Sequence, residues 1–229
     1  GKPHGNIAAF SFHPRKVMTT GDGGMLTTND EDTARKFRLW RQHGMNISDR
    51  VRHGSSSVVF ESYEELGFNY RMTDLQAAIG RVQLTRLDSI VERRRELANR
   101  YEELLGEMAA ITLPVEPDYA HSNRQSYCIR LNDASMTGRS VMQRLLDNGI
   151  ATRRGIQCAH LEPAYEKEPW SWVGKHNGQP PSLRESERAR DDCLLLPLFH
   201  EIEERDLTKI RDALDQALRN SLRGFYPVL

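Results

Sequence analysis

Apolar positions along this chain follow two rhythms. Short runs of strand character occur at Ile7-Ala-Ala-Phe-Ser-Phe12, Met25-Leu-Thr-Thr28, Ser126-Tyr-Cys-Ile-Arg-Leu131, Ile150-Ala-Thr-Arg-Arg154 and Cys193-Leu-Leu-Leu196. The first and last read as buried strands, and 126–131 as a half-buried one. Helical spacing fills much of the rest. Asp30 is placed to cap a helix running to about His43, with Glu31 and Asp32 early and Lys36, Arg38 and Arg41 late, as the helix dipole favours. Phe37 and Trp40 are expected to pack inward, and Gly44 to end the helix. A second helix starts near Thr73 or Asp74 and carries Leu75, Ala78, Ile79, Val82 and Leu87 on what reads as a core face. Its small residues Ala77, Ala78 and Gly80 permit close packing against another helix or a subunit.

Asp88 to Leu105 is a charged helix whose triplet Arg93-Arg94-Arg95 is flanked by acids, the pattern of a salt-bridged face. It reads as the bridge between two domains, 1–105 and 106–229. Beyond it, Pro114 and Pro117 mark an extended connection. Helices are expected over 137–148, stopped by Asn148-Gly149, from Ser182 to Asp191, and over 201–222 with Ile202, Leu207, Ile210, Leu214 and Leu218 inside. Strands and helices in this order suit a small α+β domain. Two stretches lack periodicity. Residues 163–182 read as an irregular loop, and the polar stretch 45–65 as a long one. Arg50, Arg52 and His53 in the latter either meet a pyrophosphate or belong to a solvated loop.

Charge narrows the function classes. Lys plus Arg and Asp plus Glu number 32 each, which gives no nucleic-acid footprint and no basic membrane arm. No apolar run approaches the roughly 18 residues of a membrane span, and no signal peptide opens the chain. The three cysteines, Cys128, Cys158 and Cys193, are dispersed, as in a reducing cytoplasm. Cys158-Ala-His160 has no second pair at ligand spacing, so a core cysteine beside a polar histidine is expected and no metal. The chain lacks an initiating Met and enters a core-like strand almost at once, so it is expected to be the C-terminal part of a longer protein or a truncated one.

The stretch with the most chemistry is 11–24. Pro14 stops the first strand, Lys16 sits on the turn that follows, and Gly21, Gly23 and Gly24 allow tight turns before the chain returns. A lysine beside Arg15 and partly desolvated by an apolar strand would keep some neutral amine, able to form a Schiff base with an aldehyde such as pyridoxal phosphate (PLP). Ser11 could offer a hydroxyl to the cofactor phosphate. The alternative is a solvated lysine beside a glycine-rich hairpin.

Ser11-Phe-His-Pro-Arg-Lys16 followed by Thr20-Gly-Asp-Gly-Gly24 closely resembles the cofactor-lysine segment of the DegT/DnrJ/EryC1/StrS family of sugar-nucleotide aminotransferases. Leu66-Gly-Phe-Asn-Tyr-Arg-Met-Thr-Asp-Leu-Gln-Ala-Ala-Ile-Gly80 resembles a second motif of the family, and Leu195-Leu-Pro-Leu-Phe199 a weaker third. The resemblance implies an α/β chain with the type I PLP-dependent transferase fold, comprising part of the large domain and a small C-terminal domain. It implies Lys16 as the cofactor lysine and proton-transfer group, with Ser11 and a second subunit's Asn69 at the cofactor phosphate. Arg71, and Arg52 and His53 from the polar stretch, are the candidate substrate-side residues, and a cytoplasmic homodimer with a shared site is expected. It also puts residues 163–182 near the substrate side of the small domain, and leaves open which of Arg153, Arg154, His160 or Lys175 would touch a substrate. The family's pyridine-nitrogen aspartate lies before the lysine segment, and the 15 residues before Lys16 hold no acid. Transamination is therefore expected of a longer parent. Two rivals are a sugar dehydratase of the same fold, in which histidine replaces the lysine, and a non-catalytic relative that assembles through residues 67–84.

Overall fold

The computed structural model describes residues 4–133, 136–165 and 183–223. The chain divides into two units, 1–89 and 90–229.

The first unit opens with β1 (Ile7–Ser11) and β2 (Gly24–Thr28), an antiparallel pair with Ile7 opposite Thr28 and Ser11 opposite Gly24. Helix α1 (Glu31–Trp40) is capped as expected, Asp30 Oδ1 accepting from the Thr33 N–H at 2.7 Å. It ends three residues before His43, where His43 and Gly44 take positive φ and reverse the chain. The stretch 45–65 is not all loop. Ser48 caps a short helix α2 (Asp49–Gly54), too brief for hydrophobic periodicity to reveal.

Helix α3 (Asp74–Thr85) starts at Thr73 in a full capping box with Gln76. Its expected core face is open instead: Leu75, Ile79 and Val82 are 79 %, 49 % and 61 % exposed. The helix docks by its small side. A Cβ on Gly80 would sit 2.9 Å from Thr20 Cγ2. Strand β1 departs from expectation in the same way, Ile7 being 50 % exposed. A hairpin has two faces, and the described residues cover little of one. An open cavity of about 890 Å³ borders the hairpin, lined by Phe10, Leu26, Phe37, Trp40, Phe68 and Tyr70.

The second unit is built on one antiparallel sheet. Helix α4 (Leu87–Leu105) leads to β3 (Ile111–Thr112), β4 (Tyr127–Leu131), α5 (Gly138–Asp147) and β5 (Arg153–Arg154). Two 3-10 turns, α6 (Arg184–Asp192), β6 (Cys193–Leu196) and α7 (Glu204–Arg223) follow. The strand order is β3-β4-β6-β5. Pairing of Ile129 with Leu194 and Tyr127 with Leu196 puts these side chains on one face. They form the core with Leu97, Tyr101 and Leu105 of α4, Val141 and Leu145 of α5, and Leu207, Ile210, Leu214 and Leu218 of α7. The strand expected over 150–154 contracts to Arg153–Arg154, and the last helix starts at Glu204. Ser182, Lys175 and most of the 163–182 loop lie outside the described residues.

The arginine triplet is only partly a salt-bridged face. Arg93 pairs with Glu96 at 2.9 Å and Arg95 with Glu116 at 3.1 Å. Arg94 is buried and donates to the carbonyls of Arg124 and Gln125 at 2.9 and 2.8 Å. At 3.6 residues per turn, three consecutive side chains cannot share a face.

Glu116 pins the proline-bearing connection to α4. It accepts from the Ser122 N–H at 2.8 Å and pairs with Arg95 and Arg124. The Ser122 amide, and then Arg95, hold its carboxyl below the ordinary glutamate range. Because the folded value is depressed, the stabilisation is whole above the ordinary range and is lost as pH falls through the lower folded value. Glu116→Gln is therefore expected to flatten the acid limb of a melting-temperature profile. An unchanged acid limb would assign that limb to other carboxylates.

Candidate active site

The turn after β1 is organised by hydroxyls. The Phe12 carbonyl accepts from the Thr20 N–H at 3.1 Å and from Thr19 Oγ1 at 2.8 Å. Thr20 Oγ1 donates to the Asp22 carbonyl at 2.6 Å, and the Gly21 N–H donates to Thr19 Oγ1 at 3.0 Å. Gly23, at φ +145°, has no room for a side chain: a Cβ would lie 2.8 Å from Thr20 Oγ1. Within this frame the Lys16 N–H donates to the His13 carbonyl at 2.9 Å, closing the turn that carries the lysine.

Lys16 is exposed on that turn. The desolvation expected from the neighbouring strand is not supplied by the described residues, since β1 is itself largely exposed. Ser11 stands at the end of β1, where its Oγ accepts from the His13 N–H at 3.4 Å. The hydroxyl hydrogen stays available for an acceptor.

The second motif forms an extended segment alternating in direction. Phe68 and Tyr70 stack at 4.9 Å between ring centroids and face the cavity beneath β2 and α1. Asn69 and Arg71 are joined to each other, Arg71 Nε donating to Asn69 Oδ1 at 3.2 Å. Arg52, on α2, pairs with Glu61 at 3.2 Å, and His53 is exposed on the same helix. The side chain of Arg50 lies outside what is described. The structure thus brings Ser11 and Lys16 onto one hairpin and Asn69 to Arg71.

One residue escaped the sequence reading. Gln76, besides closing the α3 capping box, donates from Nε2 to the Asp22 carbonyl at 3.0 Å. With Gly80 against Thr20, it fastens α3 to the glycine-rich turn. The Thr73-x-x-Gln76 spacing was the available signal, and it announced only the cap. In the second unit, the Cys158 thiol is buried and donates to the Ser186 carbonyl, while His160 Nε2 lies 3.0 Å from Glu187.

The fold is that of solved sugar aminotransferases. The chain superposes on the aminotransferase TlmJ from Streptoalloteichus hindustanus with a TM-score of 0.77 and 30 % identity, covering 94 % of this chain and 53 % of that one. It also shares the fold of the PLP form of a sugar aminotransferase described as putative from Streptococcus pneumoniae, at a TM-score of 0.78 and 24 % identity, covering 96 % and 54 %. The model of the DegT/DnrJ/EryC1/StrS aminotransferase family, whose aminotransferases are PLP-dependent, matches residues 2–215, and the chain belongs to that family. It is 34 % identical over 218 residues to the GDP-perosamine synthase of Caulobacter vibrioides, covering 93 % of this chain and 53 % of that protein. It is 31 % identical to the spore coat polysaccharide biosynthesis protein SpsC of Bacillus subtilis, covering 96 % and 54 %. The chain spans about half the length of the curated relatives it matches.

Proposed function

We propose that this chain is part of a PLP-dependent aminotransferase that moves an amino group, with glutamate as donor, onto a keto-sugar nucleotide. The observation that carries the reading is Lys16 presented on a hydrogen-bonded, glycine-lined hairpin turn in a member of this family. The residues present suit the cofactor. The Lys16 amine is exposed and can reach an aldehyde, and the Ser11 hydroxyl can donate to a phosphate. PLP, when bound, supplies the electron sink that stabilises negative charge on the substrate carbon. Lys16 would hold the cofactor through its amine, and the same amine would move the proton at that carbon.

Asn69 supplies an amide to the phosphate of a second copy's cofactor, with Arg71 fixing its carbonyl oxygen so that the NH₂ points outward. Arg52 and His53 serve the nucleotide side. A homodimer fits the apolar stripe of Leu75, Ile79 and Val82 left open on α3, immediately after this segment. Residues 1–105 are taken as the end of the cofactor-binding domain and 106–229 as the small domain, in a cytoplasmic enzyme. No described helix is long and apolar enough to cross a membrane.

The test is chemical trapping. The chain is incubated with PLP, reduced with borohydride and digested, and the peptides are weighed. The adduct is expected on the peptide bearing Lys16. An adduct spread evenly over other lysines such as Lys36 and Lys209, or no adduct, would overturn the reading.

A further inference from the structure

The second unit holds a cavity that the proposed chemistry does not use. Its volume is about 620 Å³, within the range of small-molecule sites. It lies beside β5, at the edge of the sheet. Arg154 pairs with Leu194 across the ladder and so lies on the helix-covered face, where the core gives way to this opening. The apolar wall is Met136, Met142 and Leu146.

The polar lining is unusual in its lack of internal pairing. Arg139 has no hydrogen-bond or ion-pair partner among the described residues, and Arg154 makes no hydrogen bond there, its charge acting on the nearby Asp191 carboxylate. The third guanidinium, Arg190, is tied to Asp191 by two hydrogen bonds of 2.7 and 3.0 Å. That bidentate pair offsets the carboxylate, leaving Asp192 as the other acid on the lining. Thr152 adds a buried hydroxyl oxygen without a partner among the described residues. A buried hydroxyl ordinarily finds one, and such exceptions mark places where a water or ligand completes the bonding. Two guanidiniums with every N–H donor free of hydrogen bonds to the described residues, and a hydroxyl, beside an apolar wall are the groups that recognise a charged head on an apolar body.

We propose that this cavity is a binding site for a small organic anion, a phosphate or carboxylate carried on an apolar or aromatic group. The head meets Arg139, Arg154 and the Thr152 hydroxyl, and the body lies on Met136, Met142 and Leu146. The lining belongs wholly to the second unit, and Lys16 to the first.

The probes are phenyl phosphate and phenylacetate, titrated into the 229-residue chain with carbon-13-labelled methionine methyls. Calorimetry and the methyl spectrum are read together. The methyl signals of Met136 and Met142 are expected to shift with saturation by at least one probe, while those of Met18 and Met25 stay still. The arm that saturates distinguishes phosphate from carboxylate as the head. Arg139→Gln with Arg154→Gln is expected to weaken that binding at least about tenfold, the loss of a charged contact or more. Both side chains are exposed and make no hydrogen bond to the described residues, so the double variant keeps its structure. Lys16→Ala should bind as the parent does, which separates this site from any occupancy of the proposed cofactor site. The proposal is overturned if neither probe moves the Met136 and Met142 signals at about 10 mM, or if the double arginine variant binds equally well.

Discussion

Lys16→Ala is expected to abolish the visible absorbance band that PLP acquires on covalent capture, and to leave the melting temperature where it is. The two halves of this result have separate causes. Lys16 is exposed, and its part in the turn is a backbone bond, the N–H to the His13 carbonyl at 2.9 Å. Alanine keeps that N–H. A surface substitution of this kind changes stability by no more than about 0.5 kcal/mol. Covalent capture needs a primary amine at that point of the hairpin, and the other polar side chains of the turn, His13, Arg15, Thr19, Thr20 and Asp22, carry none. Absorbance after PLP addition, with circular dichroism as the control, reads both halves. A band that persists in Lys16→Ala would move the cofactor lysine elsewhere and remove the central claim of the proposed function. A lost band with a lowered melting temperature would show that the lysine also supports the turn, contrary to its exposure.

Where local chemistry sets the structure, the sequence was a good guide. Asp30 caps α1, Thr73 caps α3, and Gly149 takes the positive φ that ends α5. These signals act over three or four residues and need no tertiary partner. The inner face of the last helix was also legible, because Leu207, Ile210, Leu214 and Leu218 meet a sheet formed by the same unit. Burial was illegible where it depends on what lies opposite. The stripe Leu75, Ile79, Val82 has core spacing and open surroundings, and Arg94 sits in a charged run yet lies inside. Apolar periodicity identifies a face that gains by being covered. It does not say that the described residues cover it. The site divides in the same way. Ser11, Lys16 and the glycines belong to one hairpin and could be read as a turn. The bond from Gln76 to Asp22 spans 54 positions and had no local signature.

The frame that presents Asn69 and Arg71 rests on two glycines that bring backbone against backbone. A Cβ on Gly67 would lie 2.1 Å from the Gly44 nitrogen and 2.4 Å from the His43 carbonyl carbon. Gly44, at φ +75°, is equally committed, since a Cβ there would fall 1.8 Å from the Glu65 oxygen. This crossing lets the segment after Gly67 bond to the end of α1. Phe68 N–H donates to the Trp40 carbonyl at 2.6 Å, His43 N–H to the Phe68 carbonyl at 2.9 Å, and Tyr70 N–H to the Arg41 carbonyl at 2.9 Å. The obstruction at Gly67 is main chain on both sides, so no rotamer change relieves it. Gly67→Ala must therefore separate the two strands of backbone and lengthen or break these bonds together. At about 1 kcal/mol for each bond, the expected loss is about 3 kcal/mol, in the upper range for single substitutions. Denaturant unfolding measures the loss, and amide exchange locates it: His43, Phe68 and Tyr70 should exchange faster, while Leu145 and Leu214 of the other unit keep their protection. If the midpoint moves by less than about 0.5 kcal/mol, the crossing is looser than its distances indicate, and Asn69 and Arg71 are not held by it.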